Sequence, residues 1–243
     1  HGGSAAGNGG MFQKPADYEK GRVMIMLKAV LFDLDGVITD SAQYHYMAWK
    51  QLADKLNIPF DEAYNEKLKG VSRMDSLNLI LKNGNQEDAF TQEEKEALAE
   101  EKNNNYKELI KQITPADILP GIKELLIELK DHNVKTCVCS VSKNAFFIID
   151  RLGLNGYFDH IIDAARIKNA KPDSDIFAIG AYVLGTAPEE SIGIEDAKAG
   201  IEAIQKAGVK AVGVGTPEQM QGADLILENT GKLNYQVLSD LVA

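Results

Sequence analysis

The chain has 243 residues, 44% hydrophobic and 26% charged, which supports one or two packed domains and excludes an intrinsically disordered chain. A net charge of −10 argues against a nucleic-acid surface or an anionic membrane as partner. No apolar run in the sequence reaches transmembrane length.

The opening HGGSAAGNGG reads as an expression-tag remnant. Residues 1–25 are therefore set aside as tag and peripheral N-terminal extension. LKAVLF, ending at Phe32, reads as a buried strand, and Ser41 to Asn57 reads as a helix capped by Ser41. A purely helical block follows, about Phe60 to Gln112, broken at LKGVS and turning at NGNQED. From Pro120 helices and strands alternate. GIKELLIELKDHN precedes strand VKTCVCS, NAFFIIDRLG precedes HIID, and SDIFAIGAYVLG precedes SIGIED. AKAGIEAIQKAG, KAVGVG and a strand at DLILE complete the pattern. This alternation implies right-handed βαβ units, hence a parallel sheet covered by helices on both faces. The helical block interrupts it after the first strand and reads as an inserted cap domain.

Cys137 and Cys139 share one face of their strand by the i, i+2 spacing and read as small buried hydrophobes, not as a metal or redox pair. Reduced thiols and the absence of a hydrophobic secretory core point to the cytoplasm.

In open α/β sheets the ligand sits beyond the carboxyl ends of the strands. Three strand ends here carry polar clusters, DLDG, SVSKN and EDAKAG, and a fourth, NAKPDSD, opens a helix. Asp33, Asp35, Glu195 and Asp196 thereby meet at one rim. Carboxylates so gathered repel one another without a hard cation, and Mg²⁺ binds through one or two carboxylates, waters and substrate phosphate. Asp33 is placed to act as ligand and nucleophile, and Asp35, two residues on, as general acid and base. The alternatives are that Asp35 merely caps a turn with Gly36, and that Asp196 is only a helix N-cap. Ser140, the backbone N–H groups after it and the fixed charge of Lys171 suit a phosphoryl group. The Lys171–Pro172 bond is expected to be trans.

DLDGVITD, SVSKN, KPDSDIF and GIEDAKAG resemble the four motifs of the haloacid dehalogenase superfamily of phosphotransferases, over nearly the whole chain from Met26. DSAQYHYMAWKQLA, NEKLKGVSRMDSL and TPADILPGI further resemble its beta-phosphoglucomutase branch. That resemblance implies a Rossmann-like, HAD-like α/β core of residues 26–40 and 113–243 with a helical cap of residues 41–112. It implies a monomeric enzyme exchanging beta-glucose 1-phosphate and glucose 6-phosphate through beta-glucose 1,6-bisphosphate, which also serves as activator. One Mg²⁺ would be held by Asp33, the backbone carbonyl of Asp35, Glu195 and Asp196. Ser140, Val141 and Lys171 would hold the transferring phosphate. Arg73, with Gly70, Val71 and Ser72, would grip the substrate's other phosphate. Ser142, Lys143 and Asn144 would add core-side contacts, and His45, Trp49, Ser76 and Lys102 match positions near the substrate or the cap hinge. Trp49 on a helix is more often core than ligand. Ser41 stands where threonine is common, Ala197 where serine is frequent, and Val141 is bulkier than the usual alanine.

Two other readings share these residues. A phosphatase of the same superfamily differs only in passing the phosphoryl group to water. A catalytically silent sugar-phosphate-binding protein would have no need of intact Asp33, Asp35, Lys171 and Asp196.

Overall fold

The computed structural model describes residues 24–69 and 71–243. The expected tag remnant and most of the N-terminal extension, residues 1–23, lie outside the described residues, as does Gly70. Among the described residues, six parallel strands run in the order β3-β2-β1-β4-β5-β6. They are β1 (Ala29–Phe32), β2 (Lys135–Val138), β3 (His160–Ile161), β4 (Ser191–Glu195), β5 (Lys210–Val214) and β6 (Leu225–Leu227).

The pleat of β1 divides the core into two layers. Val30 and Phe32 pack with α5 (Ile122–Asp131), α6 (Ala145–Arg151) and α9 (Tyr235–Val242). Ala29 and Leu31 face the other way, toward α7 (Asp175–Leu184) and α8 (Lys198–Lys206). Both faces are thus covered, as a parallel sheet requires. Cys137 and Cys139 lie in the second layer as free, buried thiols with their Sγ atoms 3.9 Å apart, on one face as the spacing implies. Helix α9 has no counterpart in the sequence reading. It buries Leu238 and Val242 against the first layer.

Between β1 and α5 lie α1 (Ala42–Lys55), α2 (Glu62–Asn65), α3 (Arg73–Asn83) and α4 (Gln92–Leu109). These helices form a hydrophobic cluster of their own, including Trp49, Leu52, Leu77, Ile80, Leu81 and Leu98. Helix α3 starts where the Ser72 side chain accepts from Asp75 N–H, and α4 where Thr91 and Glu94 form a reciprocal capping box. Ser41 does take the N-cap position of α1, but its side chain caps nothing. Its hydroxyl donates to Asp35 Oδ1. The Lys171–Pro172 bond is cis, contrary to expectation.

Candidate active site

Strand register brings three of the four motifs to one edge. Phe32 pairs with Val138 on one side and with Ile194 on the other. The residues just past them, Asp33, Cys139–Ser140 and Glu195, therefore emerge together at the carboxyl rim. Asp33 N–H donates to Ile194 O at 3.0 Å and Cys139 N–H to Phe32 O at 2.7 Å, which extends the ladder one step into the loops.

Lys171 reaches into this rim from the loop before α7. Its Nζ lies 2.8 Å from Asp33 Oδ1 and 2.5 Å from Glu195 Oε1, in a pocket that leaves the lysine side chain 10% exposed. Burial alone would pull a proton off this amine, but Asp33 and Glu195 overcome it and hold the pKa above the ordinary lysine value. Carboxylate oxygens of Asp33, Glu195 and Asp196 lie within 4.8 Å of one another. Burial, then the charge of Asp33, pushes Glu195 upward. Asp196 is pushed up to about 8, by burial first and then by Asp33, Glu195 and Asp35. One lysine does not neutralise this group, and a hard divalent cation with oxygen ligands fits it.

The turn after β1 is built to admit Asp196. Gly36 has φ +77°, and a Cβ there would overlap the Asp196 carboxylate. Asp35, at the head of that turn, is held up at about 6 mainly by burial. The Ser41 hydrogen bond opposes that shift, and Asp33 and Asp40 add to it. A carboxyl poised near neutrality is suited to giving and taking a proton. Asp35 is thus engaged by Ser41 across the rim, not merely capping its own turn.

A residue-family model described as haloacid dehalogenase-like hydrolase matches residues 27–208. The chain belongs to the haloacid dehalogenase-like hydrolase family. Within that family, the chain is 47% identical over 214 residues to the beta-phosphoglucomutase of Bacillus subtilis, covering 88% of this chain and 95% of the relative. It superposes on the crystal structure of a Clostridium difficile beta-phosphoglucomutase with a TM-score of 0.84 and 49% identity, covering 89% of this chain and 97% of the other. A phosphorylated carbohydrates phosphatase of Thermotoga maritima is 28% identical over 188 residues, or 76% of this chain and 84% of the relative.

In this member of the haloacid dehalogenase-like hydrolases, the remaining expected residues fall into two groups. On the core side, Ser140 is buried and its Oγ accepts from Ser142 N–H at 3.1 Å, while Ser142 Oγ accepts from Asn144 N–H at 3.2 Å. These bonds wind the SVSKN loop into the start of α6. Val141 and Lys143 are exposed there, and Ser142 and Asn144 half-buried.

On the helical side, Lys102 is buried, with Nζ 2.9 Å from His45 Nδ1 and 4.6 Å from the centre of the Trp49 ring. Burial pulls Lys102 down to about 7, Arg73 adding and Asp35 opposing. Burial, then Lys102, also holds His45 well below the usual imidazole range. Trp49 belongs to the hydrophobic cluster of the helices, in line with its core reading, and Ser76 is buried on α3 one turn beyond Arg73. Arg73 opens α3, half-buried, with Nη1 3.5 Å from Glu100 Oε2. Val71 and Ser72 precede it in the same loop.

Tyr106 escaped the sequence reading. Its ring stacks on His45 with centroids 4.0 Å apart, and its hydroxyl donates to Ser41 Oγ at 3.4 Å. The signal was its place four residues after Lys102 on one helix face. Tyr106 and Ser41 together link the helical block to Asp35.

Proposed function

We propose that this chain interconverts beta-glucose 1-phosphate and glucose 6-phosphate by way of a phosphorylated Asp33 and beta-glucose 1,6-bisphosphate. The observation that carries this reading is the 47% identity to the Bacillus subtilis beta-phosphoglucomutase, which extends over 88% of this chain and so spans core and helical block alike.

In this reading Asp33, Glu195, Asp196 and the backbone carbonyl of Asp35 would hold one Mg²⁺, which would supply charge screening for the attack of a carboxylate on a phosphate. Asp33 attacks phosphorus, the bond from phosphorus to the sugar oxygen breaks, and Asp35 gives its proton to that oxygen. In the return step Asp35 takes the proton from the accepting sugar hydroxyl, whose oxygen attacks the phosphoryl group and frees Asp33. Lys171 and Ser140, with the backbone beside Val141, hold the transferring phosphate. Arg73, in the loop with Gly70, Val71 and Ser72, takes the other phosphate as a bidentate partner. Ser142, Lys143, Asn144, His45, Ser76 and Lys102 complete the sugar-phosphate surroundings.

Residues 41–112 act as a cap over a core of residues 26–40 and 113–243, and they close to keep water from the phosphorylated aspartate. The enzyme works as a cytoplasmic monomer on small sugar phosphates, with the bisphosphate as activator. No helix among the described residues is long and apolar enough to cross a membrane.

The second reading is a sugar-phosphate phosphatase, favoured by the 28% identity to the Thermotoga maritima phosphatase. The assay supplies beta-glucose 1-phosphate, Mg²⁺ and a trace of the bisphosphate, and measures glucose 6-phosphate against inorganic phosphate. Glucose 6-phosphate as main product is expected; inorganic phosphate as main product selects the phosphatase.

A further inference from the structure

We infer that Gly200 is a positioning residue, the seat on which the Glu195 carboxylate rests while it serves the cation and Lys171. Gly200 lies in the first turn of α8, in the body of a helix and without a left-handed φ. Glycine there is disfavoured by helix propensity, so its presence calls for another reason. A Cβ built on Gly200 would overlap Glu195, and its three nearest atoms are Cδ, Oε1 and Cγ of that side chain.

Glu195 has little room to yield. It is 1% exposed. Its Oε1 meets Lys171 Nζ at 2.5 Å, and its Oε2 accepts from Asp196 N–H at 3.0 Å and Ala197 N–H at 3.1 Å. These two amides belong to the residues that lead into α8, Ala197 being its N-cap. One oxygen of the carboxylate therefore takes the two N–H groups that lead into α8, and the other faces Lys171. It can do both only by lying flat across the first turn, where a side chain at position 200 would stand. Gly36 does for Asp196 what Gly200 does for Glu195, but its positive φ would confound a substitution there.

The inference rests on Glu195 being a ligand of the cation, as proposed above. A merely structural glycine in this helix would make Gly200→Ala stabilising. A seat makes Gly200→Ala costly, and only while Glu195 is present. The experiment measures melting temperature without metal, and Mg²⁺ affinity by titration calorimetry. It compares wild type, Gly200→Ala, Glu195→Ala, the double variant and Glu195→Gln.

Gly200→Ala is expected to lower the melting temperature and to weaken Mg²⁺ binding about 10–100-fold, the range for groups that orient metal ligands. In the Glu195→Ala background the same substitution should leave the melting temperature unchanged or raise it. If Gly200→Ala does not fold, recovery of a folded double variant supports the seat, and failure of both overturns it. Wild-type Mg²⁺ affinity in Gly200→Ala, beside weakened binding in Glu195→Gln, overturns the seat and leaves the cation reading standing. Unchanged affinity in Glu195→Gln overturns the cation reading itself.

Discussion

Lys171 Nζ and Asp33 Oδ1 lie 2.8 Å apart although 138 residues separate them in the chain. The pair exists because the loop before α7 folds over the carboxyl end of β1, where the neighbouring β4 also ends with Glu195. It makes Asp33 an anion held beside a fixed cation, which is the setting a carboxylate needs to approach a phosphate.

Asp33→Asn should abolish phosphorylation of the protein while the fold survives, because an amide is a poor nucleophile of nearly the same shape. Intact-mass measurement after incubation with the bisphosphate should show the added phosphoryl group in wild type only. A phosphorylated Asp33→Asn protein would move the nucleophile elsewhere.

Asp35→Asn should keep Mg²⁺ binding, since the proposed ligand there is a backbone carbonyl, and lose about 10²–10⁴ in kcat by removal of acid–base help. A variant turning over near the wild-type rate excludes Asp35 from proton transfer.

Arg73→Ala should raise KM for beta-glucose 1-phosphate and speed the hydrolytic loss of phosphate from Asp33, because the cap loses its grip on the second phosphate. Scattering curves with and without Mg²⁺ and a phosphate analogue should show weaker closure in the variant. Identical closure and identical KM would refute the role of Arg73.

Lys102 gives stability a pH signature. Burial lowers its pKa from 10.5 to about 7 in the folded protein. The unfolded chain keeps that proton to higher pH, so the unfolded state binds more protons between those values and stability rises with pH there. Lys102→Met removes this dependence. Between pH 7 and pH 10 wild type should gain on the variant by on the order of 4 kcal/mol, taking about 1.4 kcal/mol per pKa unit. Urea unfolding at pH 6, 8 and 10 checks it; a pH-independent difference contradicts it.

Chelation of divalent cations should stop turnover without unfolding the protein, since Lys171 already offsets part of the charge on Asp33 and Glu195. Activity and circular-dichroism melts with and without EDTA separate the two effects. Full activity in EDTA would rule out the cation.

Much of this was legible in the residues. The strand ending at Phe32 and the acids just past it could be read because apolar runs and polar strand ends have a period and a place. The side-chain partnerships were not legible in the same way. Ser41 has the residue type and position of an N-cap, and only the fold shows a carboxylate near enough to claim its hydroxyl. Tyr106 looks like core by composition, and it is core, but its hydroxyl faces Ser41 across a contact between residues 65 apart. Helix α9 is eight residues long, capped by Asn234 and held by burial of Leu238 and Val242, four residues apart, a short signal that the sequence reading passed over. The cis Lys171–Pro172 bond carries no mark in the dipeptide itself.

The central claim is that Asp33 passes its phosphoryl group to a sugar hydroxyl and not to water. The most direct measurement labels Asp33 with radioactive phosphorus from beta-glucose 1,6-bisphosphate, removes the free bisphosphate, adds Mg²⁺ and excess unlabelled beta-glucose 1-phosphate, and separates the products. Label appearing in the bisphosphate pool and glucose 6-phosphate, with little in inorganic phosphate, is the predicted result. Label collecting in inorganic phosphate as fast as Asp33 is dephosphorylated would contradict it.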